Sequence, residues 1–343
     1  MACEKWHRVR CQPAPLAVRG WPTSHRESGR LPSSASACRG SAAASGRDAG
    51  LRILGVAILH ADHHPRTHQD GSPLKPTHPF DEAIRLEPLG EGRWRGHTHE
   101  AYGNMVGPFG GATAAAALAA ALAHPARQGD PIALTVNFAG PVAQGPFDVE
   151  ATAARTNRST QHWSVQMRQG GDVVATATAV LATRRETWSA VEAGFPQAPP
   201  ADRMARTPPM GRVRWTRAYD MRFVQGPLQI GAPPAGEQDS VSLLWMRDEP
   251  PRALDFCSLA ALCDAFFPRI FVKRASWVPI GTVSFTVYFH ADAATLSAVG
   301  SRHLLGHARA HQFCNGYFDQ SAELWGPGGD LLAVTHQMVY YKE

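Results

Sequence analysis

The 343-residue chain has no run approaching the ~18 to 20 apolar residues that a membrane helix needs, and Leu51 to Leu59 falls well short of it. No apolar stretch follows the early basic residues, so the N-terminus does not read as a secretory signal. Cysteine is scarce: the six (Cys3, Cys11, Cys38, Cys257, Cys263 and Cys314) form no CxxC pair and no disulfide-scaffold spacing. Cys257 and Cys263, inside one apolar segment, read as small core residues. There is no G-x-S-x-G elbow, and no serine or cysteine has a histidine and an acid arrayed behind it, which leaves a covalent nucleophile without support. Basic charge is also missing where a nucleic-acid-binding fold would need it. Through Thr77 there are 11 Lys and Arg against 5 Asp and Glu, leaving 23 against 24 for the remainder of a chain whose net charge is +5. The folded part is nearly neutral, so no nucleic-acid partner is expected.

What remains is the composition of a soluble protein, 44% hydrophobic with a mean hydropathy of −0.25, and the chain is read as cytoplasmic. Its length suits two ordinary domains or one large one. Residues 1–77 are rich in Pro, Ser, Ala, Gly and Arg, lack periodicity, and read as a disordered leader. Within it, His60, His63, His64 and His68 have no structured partner ligands and read as a solvated tract; no metal or cofactor is expected.

Order begins near Phe80. Ala83 to Leu89 and Gly92 to Glu100 have the alternation of short strands. Ala112 to Ala123 is nearly all Ala and Leu, which predicts a thin helix buried on most sides. Gly110 and Gly111 at its start allow close backbone approach and leave N–H groups that can hold a carbonyl or anionic oxygen; a plain tight turn explains them equally well. Four strands follow, over Ile132 to Phe138, Phe147 to Ala154, Gln161 to Arg168 and Val173 to Thr183. After a Pro- and Ala-rich stretch the order repeats. Strand-like Arg212 to Phe223 and Ser240 to Arg247 lead to an apolar helix, then to Gly281 to His290, His303 to Cys314, Tyr317 to Trp325 and Leu331 to Tyr341. An antiparallel sheet curled round an apolar helix satisfies each half. The division expected is 78–189, a linker over 190–210, and 211–343.

The second helix is the unusual one. Asp255 to Phe267, DFCSLAALCDAFF, has an N-cap in Asp255 and a stop in Pro268, and it contains Asp264 among apolar neighbours. An interior aspartate is a poor helix former, and a desolvated one costs several kcal/mol unless hydrogen-bonded. Either that face meets solvent, or Asp264 is an acid or base held by groups from elsewhere.

GPFGGATAAAALAAAL at Gly107 to Leu122, the strand ending NFAGPVAQGPFDVE at Glu150, SLAALCDAFF at Ser258 to Phe267, GTVSFTVYFH at Gly281 to His290 and YFDQSAELWGPGGDLLAVTHQ at Tyr317 to Gln337 occur in one order on a duplicated frame. In this the sequence from about Thr77 to Glu343 resembles the type II acyl-CoA thioesterases. The resemblance implies an α+β double hot-dog, two antiparallel sheets each wrapped round a central helix and joined into one. It implies an acyl-CoA substrate and a homodimer. It also implies a nucleophilic water gathered by a helix aspartate, a strand Ser/Thr and a C-terminal glutamine, which match Asp264, Thr282 and Gln337. Strand alternation places Thr282 away from the face of Val283, Phe285 and Val287, and places Gln337 with Ala333, Thr335 and Val339. The first helix carries no acid, so one active site per pair of halves is expected. Two other readings stand beside this: a non-catalytic acyl-CoA or lipid-binding protein, and a hydratase using one of His290, His303, His307, His311 or His336.

Overall fold

The computed structural model describes residues 77–231 and 238–343; the leader through residue 76, with its histidine tract, lies outside the described residues. In chain order the elements of the first half are α1 (Pro79–Ala83), β1 (Glu87–Gly90), β2 (Arg93–His97), α2 (Gly110–Ala123), β3 (Asp130–Phe138), β4 (Pro146–Thr156), β5 (Thr160–Gln169) and β6 (Asp172–Ala182). The second half has β7 (Tyr219–Gln225), β8 (Ser242–Asp248), α3 (Phe256–Leu262), α4 (Arg269–Arg274), β9 (Ile280–Phe289), α5 (Ala293–Val299), β10 (Leu304–Arg309), β11 (Phe313–Cys314), β12 (Tyr317–Trp325) and β13 (Leu331–Tyr341).

The strands form one antiparallel sheet in the order β1-β2-β4-β5-β6-β3-β9-β13-β12-β10-β8-β7, with β11 paired to β12. Leaving out β11 and the short helices α1, α4 and α5, each half has two strands, a helix and four strands, and each is laid out in the same spatial order. The halves meet where β3 pairs with β9, Leu134 opposite Val287 and Val136 opposite Phe285, with the Thr135 and Thr286 hydroxyls 3.0 Å apart. Leu134, Val136, Phe285 and Val287 are fully buried, so the seam belongs to the same core as the helices.

Helix α2 lies against β4, β5 and α3, and from Ala114 to Leu118 it is at most 2% exposed. Alanine makes this possible: its side chain carries no bulk to hold neighbours off and no rotamer entropy to lose. The stretch after β6 is pinned to the second half: the Trp245 indole donates to the Pro199 carbonyl at 2.7 Å, and Phe195 meets the Trp325 ring edge-on at 5.6 Å.

Four expectations need correction, the first being the strand read over Arg212 to Phe223, where Arg214–Arg217 is a short 3-10 helix and only Tyr219–Gln225 is extended. Ala83 to Leu89 is not one strand, because Pro79 opens α1 and His78 Nδ1 accepts from the Phe80 N–H, leaving only Glu87–Gly90 extended. The helix read as reaching Phe267 ends at Leu262, and Asp264 sits in the turn after it. Pro268 disfavours helical backbone at Phe267 and starts α4 instead, while aspartate contributes little to hold the last turn together. Asp255 does cap α3, accepting from the Ser258 N–H at 2.8 Å. Lastly, Thr282 is not on the opposite face from Phe285, for a reason that belongs to the site.

Candidate active site

Asp264 opens onto a pocket of about 100 Å³, enough for several waters or the reacting end of a ligand. Its walls come from both halves: Gly110 and Phe109 at the start of α2, Phe266 and Phe267 from the α3–α4 connection, and Thr282, Gln320 and Gln337 from the sheet. Asp264 is half-buried and forms part of the pocket lining.

Gln337 is 5% exposed, and its Nε2 donates to Asp264 Oδ1 at 2.8 Å. Burial pushes the Asp264 carboxyl from 3.8 up to about 7, against the hydrogen bonds from Gln337 and the Gly111 N–H, which pull it down. The result is a carboxylate that exchanges its proton near neutrality. The glycines at the α2 start make its place. A Cβ on Gly110 would lie 2.9 Å from Asp264 Oδ2, and one on Gly111 would lie 2.7 Å from the Ala261 carbonyl oxygen of α3. Gly110 lines the pocket, whereas Gly111 directs its N–H to the carboxylate.

Thr282 joins this wall because β9 is bulged. Its pairing with β13 runs in register from Phe289 opposite Ala333 to Ser284 opposite Met338, then skips one residue so that Thr282 faces Val339. The extra residue, Val283, is 39% exposed, while Phe285 and Val339 are at most 3% exposed. A bulge reverses the inward–outward alternation beyond it, and this brings Thr282 round to the inner side.

The structure therefore brings Asp264, Thr282, Gln337 and Gly110 to one pocket, with Gly111 just behind the carboxylate. Three polar residues at or behind the pocket are absent from the sequence reading, one of them Asn104, which lines the pocket and whose Oδ1 accepts from the Met105 N–H. Gln320, 3% exposed, lies directly opposite Gln337 across β12 and β13. Arg269, fully buried, stands behind Gln320 with its Nε 3.1 Å from Gln320 Oε1. Both left a trace in the sequence. Gln320 is the one polar residue in the inward series Phe318, Gln320, Ala322, Leu324, and Arg269 is the one charge in FFPRIFV. An aromatic wall completes the pocket: Phe109 stacks on Trp215 at 4.6 Å, and Trp215 in turn meets Phe267 at 5.9 Å. No histidine lines the pocket among the described residues.

Comparison with known proteins places the chain in a family. Residues 98–182 match the model of the acyl-CoA thioesterase N-terminal domain, and residues 193–341 match that of the C-terminal domain. Among solved structures, a conserved protein of unknown function with a hot dog fold from Alicyclobacillus acidocaldarius is 50% identical, with a TM-score of 0.74 over 78% of this chain and 99% of that one. Acyl-CoA thioesterase II TesB2 from Mycobacterium marinum is 22% identical, with a TM-score of 0.60 over 77% of this chain and 98% of that one. The tesB protein of Mycobacterium avium subspecies paratuberculosis is 20% identical, with a TM-score of 0.62 over 78% of this chain and all of that one. No curated protein matches the sequence. With both domain models matched in order and a half-identical hot-dog relative spanned almost end to end, the chain belongs to the acyl-CoA thioesterase family.

Proposed function

We propose that the protein hydrolyses an acyl-CoA thioester by direct attack of a water molecule, with Asp264 as general base and Thr282 and Gln337 orienting the reacting groups. The observation that carries this reading is the Asp264 carboxyl, facing a polar-floored, aromatic-walled pocket with its pKa pushed up to about 7. A base poised near the working pH is where proton transfer is most effective. In the proposed step Asp264 takes a proton from water as its oxygen bonds to the acyl carbon, and the carbonyl electron pair moves onto oxygen. Collapse then breaks the carbon–sulfur bond, and the proton held by Asp264 goes to the departing thiolate. The departing alkyl thiolate is a stronger base than the Asp264 carboxylate, so the proton passes to it.

The same reading takes the chain as two fused hot-dogs, 78–189 and 211–343 joined by 190–210, because the two halves share one strand order. It takes the protein as a homodimer. Val283, Met338 and Tyr340, all at least 37% exposed, lie together on the outer face at one end of β9 and β13, and Tyr288, 48% exposed, stands on the same face farther along. Sedimentation at micromolar concentration should give a dimer, and a monomer would contradict that part.

The function is tested by following free thiol released from butyryl-, octanoyl- and palmitoyl-CoA, together with a single turnover in heavy-oxygen water. Thiol release with the label in the freed acid supports direct attack. Binding of all three without thiol release would favour a binding protein, and an unlabelled acid from the first turnover would mean that its new oxygen came from Asp264, acting as a covalent nucleophile through a mixed anhydride.

A further inference from the structure

Arg269 is a fully buried cation whose hydrogen bonds all go to neutral acceptors. Its guanidinium donates to the Phe267 carbonyl, to Gln320 Oε1 at 3.1 Å, to the Ser240 carbonyl at 3.0 Å and to Ser242 Oγ at 2.8 Å. No carboxylate among the described residues lies within ion-pair distance, and burial lowers its pKa to about 9, which leaves it charged at neutral pH. A buried charge is ordinarily paired, because desolvation in a low-dielectric interior is expensive. Here the space where a negative charge would compensate it is the pocket, reached through Gln320.

The chemistry of the arginine fixes Gln320. Guanidinium N–H groups only donate, so the glutamine oxygen must face Arg269 and the amide nitrogen must point the other way. Gln320 lines the pocket, and its Nε2 has no hydrogen-bond partner among the described residues. The neighbouring amide, Gln337, is already committed, donating to Asp264 at 2.8 Å. The Gly111 N–H is likewise turned to that carboxylate. Gln320 is thus a free, oriented donor on the strand next to Gln337, which holds the base.

Resting on the hydrolytic reading above, we propose that Gln320 is a further catalytic residue, whose amide N–H donates to the thioester carbonyl oxygen as it becomes an oxyanion, and that Arg269 is the positioning residue that orients and polarises it. The donor is fixed before the reaction begins, and the arginine charge behind it strengthens as a partner once negative charge develops in a water-poor site. The carbonyl carbon attacked by a water on Asp264 holds its oxygen toward the adjacent strand, where Gln320 stands opposite Gln337.

The test compares full-length wild type, Asp264→Asn, Gln320→Ala and Gln320→Glu in thiol release from octanoyl-CoA between pH 5 and 9, with thermal melting of each. Gln320→Glu keeps an acceptor for Arg269 and gives it a counter-charge, so its melting temperature should equal or exceed that of wild type. It replaces the donor with a carboxylate oxygen, so its kcat should fall about 10²- to 10³-fold with KM changed less than about threefold, at every pH. Gln320→Ala should show the same split between kcat and KM. If Gln320 merely holds Arg269 in place, Gln320→Glu retains wild-type kcat, and that result overturns the proposal while leaving the hydrolase reading intact. A wild type that releases no thiol from any acyl-CoA overturns both. A Gln320→Glu variant that regains wild-type kcat at high pH also overturns the donor role, since the loss would then come from a shifted Asp264.

Discussion

Asp264 is held in the folded state at an energetic cost, and the sign of that cost can be measured. Its carboxyl titrates near 3.8 when free and near 7 when folded. Between those values the folded protein keeps a proton that the unfolded chain has released, so the group weighs least on stability below pH 4 and most above pH 7. Asp264→Asn should therefore stabilise the protein at pH 8 by on the order of 1 to 3 kcal/mol, and by much less at pH 4. Urea denaturation midpoints of both proteins at the two pH values check this; equal stabilisation at both would mean that the carboxyl is not desolvated. At this scale the sequence was informative about residue identity and poor about surroundings. An aspartate among apolar side chains stood out by composition alone. Gln320 and Arg269 did not, because their significance depends on a contact between a strand and a helix 51 residues apart in sequence.

The bulge in β9 is what turns Thr282 inward. Strict alternation puts Thr282 on the outer face, and the register shows one residue, Val283, inserted between Ser284 and Thr282 without a partner on β13. Inserting one alanine between Met338 and Val339 should give Val283 a partner, restore regular pairing, swing Thr282 outward and lower kcat by roughly 10²-fold, with the far-ultraviolet circular dichroism of the sheet retained. Unchanged turnover would show that the hydroxyl is not needed. A bulge has no sequence mark of its own here, since GTVSFTVYFH alternates cleanly, and that is why periodicity misplaced the threonine. The end of α3 was misread for a related reason. The apolar run continues through Phe266 and Phe267, both buried, although the helix does not. Apolar character reports burial, while helix length is set by the terminating turn. Helices α4 and α5 passed unnoticed because each is no more than seven residues long.

At the scale of the whole molecule, the repeated order of strands and helices was legible, because hydrophobic alternation and turn residues recur in the same succession in both halves. The way the halves join was not, since the β3·β9 pairing links segments about 150 residues apart and both strands read simply as half-buried. The join matters to the site: Asp264 lies in the second half, while Gly110 and Gly111, against which it is packed, lie in the first. Residues 193–343 produced alone should accordingly show no thioesterase turnover, even at concentrations where the full chain is readily measured, and turnover by that fragment would show that the first half is dispensable to the chemistry.

The central claim is that Asp264 is the base, and it is tested most directly by measuring thiol release from acyl-CoA for wild type and Asp264→Asn side by side across pH 5 to 9. The account predicts a wild-type kcat/KM that rises with pH and levels off above an inflection near 7, and a variant slower by about 10² to 10⁴ with no inflection there. A variant that turns over at the wild-type rate, or that keeps the same inflection, would contradict it.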